Sequence, residues 1–441
     1  MNDDRNDDRA ASPAAPSAAP SPSAPAALAE PLRLSTARDL PNRIAKSAMS
    51  ERMADRDGAP SADLIALYRR WARGGAGLLI TGNVMIDHEA ISEHGNVVVE
   101  DRRHLDALRA WAEAAQSGGG RIWAQINHPG RQVPRTVNRR PVAPSPIAVR
   151  GTGGMFARPR ALTGDEVEAI IARFATTAAV LEEAGFDGVQ IHAAHGYLIS
   201  QFLSPLTNQR EDDWGGTPAK RRRFLLEVVR AVRAAVSERF AVAVKLNSAD
   251  FQRGGFDQAE SMRVVEALEE AGIDLLEISG GTYESTAMFE ETVPQHDSSR
   301  RREAYFIDYA EQVRARTRVP LMVTGGFRTA AGMVDALAGA TDVIGMARPL
   351  AIEPDLPARL LAGEADAARP ISLSTGIKKV DGMLQPMWYQ VQLDRMGRGL
   401  EPAPRLSRWY AVLRYLLPPP RRERATRALQ SADPAALRPA A

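Results

Sequence analysis

The sequence predicts an α/β fold, a (β/α)8 barrel of the TIM type, and three observations point to it. Eight short runs rich in branched apolar residues alternate with helical patterns between about Pro31 and Leu361. Seven of the eight end in Gly, Asn, Ser, His or a neighbour of one, and barrels place their chemistry at those ends. The competing doubly wound sheet would carry a glycine-rich phosphate loop after its first strand, yet Ser47–Met53 contains no glycine.

The expected strands are Ile44–Met49, Gly77–Val84, Arg121–His128, Gly188–His195, Ala241–Asn247, Leu275–Gly281, Pro320–Gly326 and Asp342–Arg348. Between the third strand and its neighbour, Val167, Ile170, Ile171, Phe174, Ala178 and Leu181 recur at helical spacing. Phe224, Leu225, Val228, Val229, Val232 and Val236 mark another helical face. Thr163 and Glu166 form the sequence signature of a capping box. The third connection, Pro129 to Leu162, is too long for a simple turn and reads as a lid or binding loop. Residues 1–30 are expected to be a disordered tail, because Ala10 to Ala27 is all Ala, Pro and Ser and offers no bulky apolar residue. Residues 31–370 then form the barrel, and 371–441 a short helical extension with helices at Gly376–Leu393 and Arg405–Leu417.

The composition excludes several function classes. Among 441 residues the formal net charge is +2, too even for a nucleic-acid or membrane-surface partner by bulk charge. The absence of cysteine rules out disulfides, thiolate metal sites and cysteine-ligated iron–sulfur clusters. No apolar stretch approaches the length of a membrane span. The acidic, proline-rich start is unlike a secretory or mitochondrial leader, so a cytoplasmic location is the expectation.

Three of the seven histidines, His128, His192 and His195, fall at strand ends. The pair His192/His195 reads either as two histidines satisfied locally or as two imidazoles that jointly donate to a substrate oxygen. A zinc site is disfavoured, because two histidines three apart lack a third ligand, and no metal is expected. Tyr197 would be a nearby acid that keeps its proton at neutral pH. Gly325-Gly326 and Ala347-Arg348 end strands seven and eight, where barrels commonly bind phosphate, although glycines also serve tight turns. Gln125 can donate to and accept from a planar heterocycle, and a buried Lys245 must face a charge or a ligand. Taken with a phosphate site, these residues suggest flavin mononucleotide (FMN).

From about Pro31 to Ala365 the chain resembles the Old Yellow Enzyme family of flavin-dependent ene-reductases. The resemblance rests on Asn42-Arg43-Ile44…Met49, Gln125…His128-Pro129-Gly130-Arg131, Pro144-Ser145 and His192-Ala193-Ala194-His195-Gly196-Tyr197-Leu198. It rests also on Phe202-Leu203-Ser204-Pro205…Asn208…Arg210…Asp212…Gly215-Gly216. It implies non-covalent FMN, reduced by NAD(P)H and reoxidised by a small electrophilic alkene conjugated to a carbonyl or nitro group. It places Ala48, Met49, Ser50 and Asn83 along the flavin ring and Gln125 at its pyrimidine edge. Lys245 stands where arginine is usual, near N1 and O2. The phosphate falls to Gly325, Gly326, Ala347 and Arg348. His192 and His195 would grip the substrate oxygen, and Tyr197 would protonate the α-carbon. Ser50, Lys245, Arg52 and Trp214 depart from the family pattern. A homo-oligomer is compatible with the resemblance. Two other functions remain in view: a dienoyl-thioester reductase without its iron–sulfur module, and a degenerate flavin-binding barrel with a storage or scaffold role.

Overall fold

The computed structural model describes residues 23–35, 37–150, 153–250, 252–279, 308–371, 373 and 378–416. Eight strands form the barrel: β1 Ile44–Lys46, β2 Leu78–Met85, β3 Arg121–Asn127, β4 Gly188–Ala193, β5 Ala241–Asn247, β6 Leu275–Ser279, β7 Leu321–Thr324 and β8 Val343–Met346. All neighbours pair in parallel, and β1 closes the sheet by pairing with both β2 and β8. The expected strands are found at their expected places. Gly280 and Gly281, expected at the end of the sixth, lie outside the described residues.

Helices follow the strands at Ala62–Arg73, Leu105–Gln116, Gly164–Glu183, Pro218–Ala235, Gln258–Glu270, Ala330–Ala338 and Leu356–Leu361, with a further helix entered at residue 308. The Thr163/Glu166 capping box forms with both reciprocal bonds. Of the apolar face beyond it, Val167, Ile170, Phe174, Ala178 and Leu181 are buried against the sheet. No described helix is long and apolar enough to cross a membrane.

Side chains alternate along each strand, so one set fills the barrel and the other meets the helices. The lower interior is apolar: Ala45, Leu78, Ile80, Trp123, Ala241, Ala243, Leu275, Met322 and Val343 pack together. Leu32, Leu34 and Leu40 close this cluster from the segment that precedes β1. One step further along the same strands the inward positions turn polar, at Ser47, Gln125, Gln190, Lys245, Glu277 and Thr324.

The N-terminal boundary differs from the expectation. Ala24–Ala29 is a helix, Leu28 is fully buried in the main core, and its carbonyl accepts from the Arg43 N–H. A single leucine after the Ala/Pro/Ser run suffices to dock it. The described structure therefore begins at 23, not near 31, and the earlier residues lie outside it.

At the base, four side chains brace the strands in pairs. Asp187, just before β4, accepts from the Ile122 N–H of β3 at 3.0 Å. Asp274, before β6, accepts from Val242 of β5 at 2.7 Å, and Asp342, before β8, from Leu321 of β7 at 2.8 Å. Asn42 does the same for Gly77 ahead of β2, at 2.9 Å. Arginines complete the three carboxylates: Arg38, Arg233 and Arg314 respectively. A barrel needs its first N–H groups satisfied where no ladder partner exists, and these side chains satisfy them.

The C-terminal extension consists of helices Lys378–Gly397 and Arg408–Leu416, close to the expected ranges. It has its own small core of Ile352, Trp388, Val391 and Ala411.

Candidate active site

The site occupies the C-terminal ends of the strands. Glu277 on β6, fully buried, lies 2.9 Å from Lys245 Nζ on β5. Its other oxygen accepts from Gln190 Nε2 on β4 at 2.7 Å, and Gln190 Oε1 accepts from Gln125 Nε2 on β3 at 2.7 Å. Four adjacent strands thus contribute one continuous polar chain. It ends in the side chain of Gln125, buried at 3% exposure, whose Nε2 is committed to Gln190.

Above this layer stands the histidine pair. His192 Nδ1 accepts from the Ala194 N–H at 3.2 Å, so its proton sits on Nε2. His195 has φ of 59°, a left-handed conformation that favours glycine. Three bonds hold it there. Its N–H donates to Asn247 Oδ1 at 3.2 Å, its carbonyl accepts from Gln132 Nε2 at 2.8 Å, and its Nε2 meets Ser279 Oγ at 2.7 Å. A strained residue held this firmly points to function. The His192 ring lies edge-on to both His195, with centroids 5.1 Å apart, and Tyr197, at 4.8 Å. Burial lowers the pKa of both histidines, that of His195 to about 3, and Lys245 adds to the effect. Both imidazoles are therefore neutral at physiological pH. Tyr197 caps helix Leu198–Leu203, and its hydroxyl accepts from Asn83 Nδ2 at 3.4 Å. Asn83 in turn accepts from Asn127 Nδ2 at 3.2 Å.

The long third connection supports this cluster. Gln201 Nε2 donates to the carbonyls of Pro129 and Gly196, and Leu198 N–H to that of His128. His128 itself is buried, accepts from Gly130 N–H, and is held by desolvation at a pKa of about 4. It serves the turn and does not join the other two histidines. The stretch Asn208–Gly216 is also a brace. Arg210 pairs with Asp212 and donates to the carbonyls of Pro144 and Leu162, tying the long loop to the barrel.

On the opposite side, the loop after β1 carries Ala48, Met49 and Ser50. Glu51 anchors it: both carboxylate oxygens accept from Gly82 N–H at 3.1 Å, at a bulge in β2 between Ile80 and Asn83. A Cβ at Gly82 would collide with that carboxylate. Bulges re-aim side chains, and this one sets where Asn83 sits. Lys46 Nζ completes the network, bonding Glu51, Tyr68 and the Ile80 carbonyl at 3.1, 3.0 and 2.7 Å. Desolvation lowers its pKa, while burial and Glu51 raise that of Tyr68 well above 10. Ser50 bonds Glu93, whose pKa desolvation raises and whose carboxylate also pairs with Arg52.

β7 and β8 run side by side, bringing the Gly325-Gly326 turn next to Ala347-Arg348. Both glycines have positive φ, 117° and 84°, and a Cβ on Gly325 would meet open space. Arg348 is half-buried and donates to Gln385 Oε1 of the C-terminal extension at 3.1 Å. Sequence reasoning missed Gln190, Glu277, Asn127, Asn247, Ser279 and Lys46/Glu51. The available signal was the strand alternation, since Gln190 and Glu277 lie two residues before His192 and Ser279.

These residues fit FMN: an amide and a cation for a pyrimidine edge, and a Gly325-Gly326 turn, open at Gly325 and beside Arg348, for a phosphate. A parallel barrel with such a mouth belongs to the flavin-dependent oxidoreductases. The chain is a member of the NADH:flavin oxidoreductase / NADH oxidase family, the Old Yellow Enzyme family, whose sequence model matches residues 27–367. It is 42% identical over 360 residues to the NADH-dependent flavin oxidoreductase nadA of Aspergillus parasiticus, covering 78% of this chain and 80% of that protein. The old yellow enzyme homologue from Zymomonas mobilis superposes with a TM-score of 0.66 at 29% identity, covering 78% of this chain and 95% of that one. Morphinone reductase in complex with tetrahydroNAD gives 0.63 at 28% identity, covering 78% and 92%. Other relatives are longer, and the chain spans about half of their length. The protein is an FMN oxidoreductase with a nicotinamide hydride donor.

Proposed function

We propose that the protein reduces the carbon–carbon double bond of a small alkene conjugated to a carbonyl or nitro group, with hydride from NAD(P)H. Bound FMN supplies the hydride carrier between the two substrates. In this reading Gln125 and Lys245 hold the pyrimidine edge of the ring, and Ala48, Met49, Ser50 and Asn83 lie along it. Gly325, Gly326, Ala347 and Arg348 hold the phosphate. His192 and His195 bind the substrate oxygen. Hydride arrival at the β-carbon makes that oxygen negative, and donors already aimed at it stabilise the transition state more than the ground state. Tyr197 then delivers a proton to the α-carbon and regains one from solvent.

The observation that carries this reading is the neutral His192/His195 pair, with His192 edge-on to both His195 and Tyr197. Neutral imidazoles donate hydrogen bonds without the desolvation cost of a buried cation. The test is anaerobic reduction by NADH or NADPH, followed by mixing with enones, nitroalkenes and dienoyl thioesters. Enones or nitroalkenes should reoxidise the flavin stoichiometrically. Reoxidation by dienoyl thioesters alone would favour a thioester reductase, and by oxygen alone would sink the ene-reductase reading.

A further inference from the structure

Glu277 is fully buried and meets both Lys245 and Gln190, yet the chemistry above gives it no task. Its environment dictates what it does. A carboxylate only accepts, so Gln190 must turn its Nε2 toward Glu277, as it does at 2.7 Å. Gln190 is then obliged to present its carbonyl to the next amide, and Gln125 meets it with Nε2, again at 2.7 Å. The orientation of Gln125 follows: its Nε2 is committed to Gln190, and its carbonyl is the end of the amide left over for a ligand. That is an acceptor, the group a flavin N3–H requires. On its other side Glu277 holds Lys245 Nζ at 2.9 Å. One carboxylate thus fixes the polarity of an amide relay and the position of a cation.

We propose that Glu277 is a positioning residue that fixes Lys245 and, through Gln190, Gln125 at the pyrimidine edge of FMN, and thereby sets how readily the flavin is reduced. Reduction places negative charge on the N1/O2 side of the ring. A cation there favours the reduced form, and a carboxylate bound to that cation offsets part of its field. Lysine makes the offset adjustable, because its point charge lies wherever its partner draws it, unlike the rigid fork of arginine. The ion pair is shielded from water, so salt screens it little. The inference rests on the proposed placement of the ring at Gln125 and Lys245.

The test is the midpoint potential of the bound flavin, measured by equilibration with a reference dye on the holoenzyme of four forms. Lys245→Gln should lower the potential. Glu277→Gln, which keeps size and removes charge, should raise it, since the cation then acts unopposed. The same substitution in the Lys245→Gln background should produce a much smaller shift, because the charge it offsets is gone. FMN content and thermal melting establish that each form is folded. An unchanged or lowered potential in Glu277→Gln overturns the proposal, as does an equal shift in both backgrounds. If Glu277→Gln does not fold, Glu277→Asp decides, because it keeps the charge but shortens its reach to Lys245. A smaller rise is expected there, and none overturns the idea. If instead Lys245→Gln leaves the potential at the wild-type value, the ring placement itself is wrong.

Discussion

The two ends of the barrel are built from the same eight strands and treat their polar side chains in opposite ways. At the base every acid is closed. Asp187, Asp274 and Asp342 each accept a backbone N–H from the neighbouring strand and each meets an arginine. At the mouth, by contrast, two side chains are held through one polar atom only. His192 is fixed through Nδ1 and offers Nε2, and Gln125 is fixed through Nε2 and offers its carbonyl. Closure of all valences yields stability, whereas a group tethered from behind is ready for a ligand. Burial alone does not distinguish the two ends, since Asp274 and Gln125 are both 3% exposed.

The largest effect is expected where the base is sealed. Leu28→Ala removes a fully buried side chain and should cost about 2–5 kcal/mol of stability, read from urea unfolding. A chain starting at residue 23 should match the full-length protein, and one starting at 30 should lose stability comparably. If the shorter chain is as stable, the helix Ala24–Ala29 does not belong to the fold.

Next comes the mouth. Replacing both His192 and His195 by Ala should slow reoxidation by an enone roughly 10²–10³-fold, the scale of losing an oxyanion donor. Flavin reduction by NADH should fall less, because no oxygen gains charge in that step. Stopped-flow traces of the two half-reactions separate the outcomes, and an unchanged enone rate would return the pair to a structural role. Smaller still is Asp274→Ala, which strands the Val242 N–H and should cost about 1–3 kcal/mol. Its kcat/KM should stay near the wild-type value; a large loss of turnover in a folded protein would blur the contrast between the ends.

Acid should expose the same contrast. His128, His192 and His195 have folded pKa values below the ordinary 6.5, through desolvation first. Between that value and their folded pKa the unfolded chain binds more protons, so stability must fall as pH falls. The window runs from about 6.5 down to about 4 for His128 and about 3 for His195. Each histidine contributes up to about 1.4 kcal/mol per pH unit. Unfolding free energies measured from pH 7 to pH 5 should slope downward, less so in the double histidine variant. A flat profile would mean that these side chains are solvated.

The barrel was legible because each strand announces itself by branched apolar residues and each helix by its spacing, as with Val167 to Leu181. The His192/His195/Tyr197 cluster was legible because its members lie within six residues at one strand end. What escaped was assembled across strands. Glu277 and Gln125 are 152 positions apart in the chain and joined only through Gln190, a link created by closure of the sheet. The base acids escaped for a different reason. Asp187, Asp274 and Asp342 each follow a helix-ending glycine by two or three residues, a repeat visible in hindsight, but a lone Asp at a turn has many ordinary explanations. Leu28 was hidden by the Ala/Pro/Ser run before it.

Among the described residues the C-terminal extension touches the site through Gln390, which donates to the Glu51 carbonyl behind the Ala48–Ser50 loop, and Gln385, which holds Arg348. Protein synthesis is directional, and Gln390 leaves the ribosome 339 residues after Glu51. At about 5–20 residues per second that is a delay of about 20–70 s. The loop that emerges among the first parts of the barrel is thus anchored early, through Glu51 and Gly82, and receives its tie to Gln390 only late. All eight strands can be complete while both of these ties are still missing, so the tie that holds Arg348, a residue of the proposed phosphate site, arrives after the barrel it serves.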